Sequence, residues 1–380
     1  MTQYTPNAPY SAREKLRTLP PELISSADYA RMASAFIDLP TLEYIRGGSG
    51  KELTLARNNS AFDAIEIYPR LLRDCTQGHT RSQLLGHVFR HPILLAPVAA
   101  QKLVHPEGEI ASARAAELLD TGFVCSTLAS TTLESVAQEL SGNKWFQLYL
   151  QPKREDSVKL IQRAQAAGYQ AIVITLDAPI QPLSQRAQRA GFVLPSFAAP
   201  INLQHFTAPA QVALRADDSI IFQGMMREAP SLADIQWLQT QTQLPIIAKG
   251  VLHPDDALQL KAIGIAAIIV SNHGGRSLDG APASIAALPA IRAALGKDFP
   301  LLIDGGIRTG SDIFKALALG ANAVLIGRPQ VYALAVAGTL GVAHLLKLLR
   351  DELETCMALA GCATLADIND AAIYQPAKAQ

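Results

Sequence analysis

The sequence predicts a (β/α)8 barrel, and two observations carry that prediction. Eight short apolar runs recur along the chain, separated by helical patterns with recognisable ends. Most of the runs are apolar at every position instead of alternating. Continuous patterning means burial on both faces, as in a parallel sheet. Strand–helix alternation with a count of eight closes a barrel. A doubly wound open sheet is the alternative. It has no need of eight strands and splits them around a switch point.

In chain order the runs are Ile93–Val98, Phe123–Ser126, Trp145–Leu150, Ala171–Thr175, Ile246–Ala248, Ala267–Ser271, Leu301–Asp304 and Ala323–Ile326. The helical patterns between them have chemical stops. Glu107 to Asp120 ends at Gly122, Ser157 to Ala167 at Gly168, and Asp255 to Ile263 at Gly264. Ser311 is the expected cap of "DIFKALAL", which Gly320 ends. Residues 1–90 precede the first strand and are expected to pack on the barrel as a helical extension. Residues 91–370 form the barrel, and 371–380 a tail. An insertion over about 180–229 leaves the C-terminal end of the fourth strand, where it is expected to fold over the mouth as a lid.

Composition narrows the functional classes. Lysine plus arginine balance aspartate plus glutamate at 33 each, so no global field draws in nucleic acid or an anionic membrane. The four cysteines form no CxxC pair, which fits a reduced, cytoplasmic setting. The N-terminus lacks a signal-peptide core. The greasiest stretch, Val331 to Leu346, carries Gly338, Gly341 and His344 and reads as a buried helix, not a membrane span.

In this fold chemistry sits at the C-terminal strand ends. Those ends bear Pro97-Val98-Ala99, Ser126, Gln147 with Tyr149, Thr175 with Asp177, Lys249, Ser271 with His273 and Arg276, Asp304-Gly305-Gly306 with Arg308, and Gly327-Arg328. Together they make a polar ring on an apolar barrel. Two glycine–arginine turns on adjacent strands, with a helix starting near Ser311, make an anion site. His273 beside Arg276, with Asp177 available to orient it, has the composition of a general base next to a carboxylate clamp. Lys249 is costly to bury without a facing charge, which a cofactor that becomes anionic supplies. Tyr149 reads equally as strand packing or as a functional hydroxyl. No metal-ligating cluster stands out.

The stretches "YIRGGSG", "LAPVAAQKLVHPEGE", "WFQLYL", "ITLDAP", "SNHGGRSLD" and "DGGIRTGSDIFKALALGANAVLIGRP" resemble the FMN-dependent α-hydroxy-acid oxidase and dehydrogenase family, the group of glycolate oxidase, lactate oxidase and mandelate dehydrogenase. The resemblance implies FMN as cofactor, an α-hydroxy acid as substrate, oxygen or another oxidant as acceptor, and a homotetramer. It implies His273 as base and Asp177 as its stabiliser. Arg276, Tyr44 and Tyr149 would hold the substrate carboxylate. Lys249 would lie at the flavin N1–O2 edge, and Pro97, Val98 and Ala99 at the N5 side. Ser126, Gln147, Thr175 and Ser271 would bond the ring, and Asp304 the ribityl chain. Gly305, Gly306, Arg308, Gly327 and Arg328 would take the phosphate. Electrons would reach N5 as hydride or through a carbanion. An FMN barrel isomerase without net redox and an inert flavin-binding relative are the competing readings.

The chain departs from the family at one place. The arginine pair expected after the strand-four Asp-x-Pro is replaced by Leu183 and Ser184. A charge-assisted contact to the substrate is thereby lost, with Arg186 and Arg189 the nearest replacements. The expectation is an altered substrate, larger, less polar or not a free small acid, with weak turnover of glycolate and lactate.

Overall fold

The computed structural model describes residues 14–182, 184–206 and 213–375. An antiparallel hairpin, β1 (Ser82–Leu84) and β2 (His87–Phe89), precedes the barrel. The barrel strands are β3 (Ile93–Leu95), β4 (Gly122–Ser126), β5 (Lys144–Leu148), β6 (Ile172–Thr175), β7 (Ile246–Val251), β8 (Ala267–Val270), β9 (Leu301–Ile303) and β10 (Ala323–Ile326). They pair in parallel in chain order, and β10 closes on β3. The predicted runs all fall on these strands, with ends displaced by a few residues.

Why the runs look uniformly apolar is now visible. Each strand alternates between two separate cores. Outward residues such as Ile93, Phe123, Phe146, Ile172 and Ile268 join the shell between strands and helices. Inward residues such as Leu94, Val124, Trp145, Val173, Ile247, Ile269, Leu302 and Leu325 fill the barrel, and Phe89 of the hairpin packs into the same cluster. Two residues further toward the C-terminal end, the inward positions become Ser126, Gln147, Thr175, Lys249, Ser271 and Asp304, all buried. The period of two that strand geometry imposes therefore aims these polar side chains at the mouth.

Helices Ser26–Met32, Leu39–Arg46 and Leu53–Asp63 precede the hairpin. The first packs on the long C-terminal helix Arg328–Ala360, the second on the short helix Gln185–Arg189, and the third on Ser284–Leu295. The greasy stretch Val331–Leu346 lies within the C-terminal helix, which is kinked at Ala337–Gly338 and mostly buried.

One predicted cap is corrected. The helix over Gly310–Ala318 is capped by Thr309, not Ser311. Thr309 accepts the Asp312 N–H and Asp312 accepts the Thr309 N–H, a reciprocal box that Ser311 has no partner to form.

Candidate active site

The polar ring is wired internally. The Ser126 hydroxyl donates to Gln147 Oε1 at 3.3 Å, and Gln147 Nε2 donates to Thr175 Oγ1 at 3.1 Å. Lys249 Nζ donates to Ser271 Oγ at 2.9 Å and pairs with Asp304 Oδ2 at 3.1 Å. Lys249 was expected to face the charge of a cofactor; Asp304 faces it as well. A buried ammonium is stable only with a counterion in place, and here the protein provides it. Burial alone lowers the Lys249 pKa, but Asp304 and Asp177 override it and the ammonium is held above its ordinary value. Ser271 lies behind the cleft wall, accepting from Lys249 and from the His273 N–H.

His273 sits on a strained turn. Its φ is 57°, and Gly274 and Gly275 follow at 62° and 78°. A left-handed histidine persists only where the surroundings fix it. Asn272 does so from the preceding position. Its Oδ1 accepts the Gly275 N–H at 3.1 Å and the Asn58 Nδ2 at 2.8 Å, while its Nδ2 donates back to Asn58 Oδ1 at 2.7 Å. Both amides are buried. Asn58 belongs to the N-terminal extension, and no local motif marked it; only its tertiary pairing reveals it.

His273 Nδ1 meets Asp177 Oδ1 at 2.9 Å, as the sequence led us to expect. Burial works to raise the Asp177 pKa, but the His273 and Lys249 charges hold it below the ordinary carboxylate value. Its second oxygen has no hydrogen-bond partner among the described residues. The pair is thus an anionic carboxylate on Nδ1, which leaves Nε2 to take a proton.

Three residues on, the Arg276 guanidinium donates to the carbonyls of Tyr44 at 2.8 Å and Gly47 at 3.3 Å, and lies 4.7 Å from the Tyr44 ring. Burial pushes the Tyr149 hydroxyl up to about 12, so it stays a donor at neutral pH. Tyr44, Tyr149, His273 and Arg276 all line one cleft, as does Gln181 of the insertion. Leu183 lies outside the described residues. Ser184 caps helix Gln185–Arg189 and packs against Gly47. Neither Arg186 nor Arg189 replaces the missing arginine. Arg186 pairs with Glu52 at 2.6 Å and with Glu43 at 3.4 Å on the outer rim, while Arg189 is exposed beside Gln185.

Gly305, Gly306, Arg308, Gly327 and Arg328 line the same cleft. Gly306, at φ 91°, has no room for a side chain because the Asn58 carbonyl lies against it. Arg328 donates to the carbonyls of Ile45, Gly274 and Gly47, and Arg308 to that of Ile307. Burial, then the charges of Arg276 and Arg308, push Arg328 down to about 9. A guanidinium does not give up its proton in practice, so Arg328 stays cationic. The helix N-terminus expected near Ser311 is not that anion's site, because Asp312 and Glu352 already take its N–H groups. The helix beginning at Arg328 is the one that opens on the cleft. Its N-cap, Gly327, supplies no side-chain cap.

Pro97, Val98, Ala99, Ser126, Gln147, Thr175, Lys249 and Asp304 also line the wall. Sequence reading missed Leu128, which adds apolar surface there. FMN matches the donor set. Arg308, Arg328 and the helix N-terminus at Gly327 suit a phosphate. Asp304 Oδ1 is buried with no hydrogen-bond partner among the described residues and could accept from a polyol chain. Gln147 and Lys249 offer polar contacts for a heteroaromatic ring.

Comparison with known proteins agrees. The family described as FMN-dependent dehydrogenase matches residues 33–375. An L-lactate oxidase of Alicycliphilus denitrificans is 55% identical over 350 residues, covering 92% of this chain and 96% of that one. A glycolate oxidase 1 of Oryza sativa subsp. indica is 39% identical over 360 residues, covering 94% and 97%. The crystal structure of a mandelate oxidase with (S)-2-phenylpropionate superposes with a TM-score of 0.82 at 39% identity, covering 90% of this chain and 96% of that one.

Proposed function

The chain belongs to the FMN-dependent dehydrogenase family, and from that premise we propose that it oxidises a short 2-hydroxy acid with an apolar substituent, lactate foremost, using oxygen as the final acceptor. Its class is plain: it is an FMN-dependent oxidoreductase acting on the CH–OH group of α-hydroxy acids. The finer reading rests on the cleft and on relatives that are lactate oxidases at up to 55% identity. Those relatives weigh against weak lactate turnover. A less polar acid is the altered substrate favoured here, with Ala99 and Leu128 as apolar surface in the cleft. The four thiols are free, which supports a reducing cytoplasm as the setting.

The observation that carries the reading is His273, held by Asp177 at 2.9 Å on the same turn as Arg276. Arg276 and the Tyr149 hydroxyl bind and orient the carboxylate. His273 Nε2 takes a proton from the substrate, and Asp177 stabilises the resulting imidazolium. FMN held in this cleft would supply the two-electron redox chemistry and the link to the oxidant. Lys249, kept cationic by Asp304, would offset negative charge on the ring. Arg308, Arg328 and the Gly327 helix terminus would hold the phosphate.

The test is direct. Purified holoenzyme is expected to be yellow and to bleach on anaerobic mixing with L-lactate. Glycolate, which lacks the methyl group, is expected to reduce it about 10-fold less efficiently. A flavin that no 2-hydroxy acid bleaches would remove the activity assigned to this site. Glycolate matching lactate would remove the apolar-substituent reading alone.

A further inference from the structure

The segment after β6 lacks its inward arginine but carries Arg186 on its outer side. There the guanidinium engages Glu52 bidentately, Nε to Oε1 at 3.1 Å and a terminal nitrogen to Oε2 at 2.6 Å, with Glu43 at 3.4 Å. Glu52 itself is held at φ 63°, a strained left-handed residue. Its Oε1 also accepts the Gly48 N–H at 3.0 Å. The neighbouring Gly47 carbonyl accepts from both Arg276, at 3.3 Å, and Arg328, at 2.9 Å. Further contacts tie the same strap to the same turn. Ser184 packs on Gly47, and Phe192 stacks on Tyr44 with ring centroids 4.1 Å apart. The Tyr44 carbonyl and ring in turn hold Arg276.

We propose that Arg186 and Glu52 are positioning residues: their ion pair latches the strap onto the Gly47–Gly48 turn and so sets the Arg276 clamp for the substrate carboxylate. The inference rests on Arg276 being that clamp. An arginine lost from the pocket is thus matched by one outside it that stiffens the remaining guanidinium. Burial raises the Glu52 pKa, but Arg186 and the Gly48 N–H hold it below its ordinary value, so the latch is closed at neutral pH. Because both partners are partly exposed, salt should weaken the latch.

The test uses holoenzyme and L-lactate. In Arg186→Met, KM is expected to rise about five-fold, the scale of one well-formed but partly exposed bidentate pair. The kcat, FMN content and melting temperature should stay near wild type. Arg186→Lys, which keeps the charge without the fork, should fall between. Glu52→Gln should raise KM similarly, and the effects of the two singles should be less than additive in the double variant, since each removes the shared Arg186–Glu52 ion pair. High salt should raise KM of the wild type more than that of Arg186→Met. An unmoved KM in Arg186→Met, additive single effects, or a KM rise matched by loss of FMN and of melting temperature would overturn the latch. A wild-type flavin that no 2-hydroxy acid reduces would instead sink the functional reading, and the latch with it.

Discussion

The two ends of the barrel are built from the same strands and do opposite things. At the N-terminal end, Trp145, Leu94, Val124 and Ile247 interlock with Phe89, whose ring meets the Trp145 indole edge-on at 6.2 Å. The His91 imidazole there has both ring nitrogens engaged. His91 accepts the Ile93 N–H at Nδ1, and its Nε2 reaches the Leu119 carbonyl and the Thr121 hydroxyl. At the mouth, buried carboxylate oxygens of Asp177 and Asp304 stand unpartnered, cations cluster, and a histidine sits left-handed. Stability and reactivity are therefore separated along one axis. Unsatisfied groups cost free energy, and they are tolerated where a cofactor and substrate complete them.

The strongest way to break that contrast is His273→Ala. If the mouth carries chemistry and not stability, the variant keeps FMN and its melting temperature. The rate of anaerobic flavin reduction by L-lactate should fall about 10³-fold, within the range for a positioned general base. Stopped-flow absorbance measures the rate. Near-normal reduction would take His273 out of the mechanism.

How much of this contrast was legible in the sequence depends on its range. Strand count and the polar strand ends are local signals, and they placed every barrel strand and most of the polar residues of the cleft wall. The Lys249–Asp304 pair was not legible, because inward side chains two strands apart meet only once the barrel closes. Asn58 was hidden for the same reason, lying 214 positions from its partner Asn272. Arg186 was read as a possible pocket residue because its distance from Asp177 in the chain suggests one. The acidic residues of the N-terminal extension, invisible to that count, draw it outward.

A second substitution inverts the first. Trp145→Ala removes a fully buried indole from the sealed end. It should cost about 3–5 kcal/mol of stability through lost contacts and a cavity. Reduction of the remaining folded holoenzyme by L-lactate should change little, because the site lies a layer away. Urea midpoints with FMN at fixed excess check the first half, and stopped-flow the second. A variant as stable as wild type, or one folded but chemically dead, would erase the division between the ends.

The smallest effect sharpens the contrast by pH. Burial pushes His91 down to about 4, so the native ring is neutral at the sealed end. In the unfolded chain an ordinary histidine titrates near 6.5. Between those values the unfolded state binds the extra proton, so native stability falls with falling pH. The contribution is fully present above about pH 6.5 and drains away toward pH 4. At pH 4.5 the loss is about 2–3 kcal/mol at 1.36 kcal/mol per unit. His91→Gln keeps a donor and an acceptor but does not titrate. It should be less stable than wild type at pH 7, and the gap in urea midpoint should narrow steadily as pH falls to 4.5. Parallel curves for the two proteins would mean that the acid sensitivity lies at the mouth, with Asp177 and its neighbours, and not at the base.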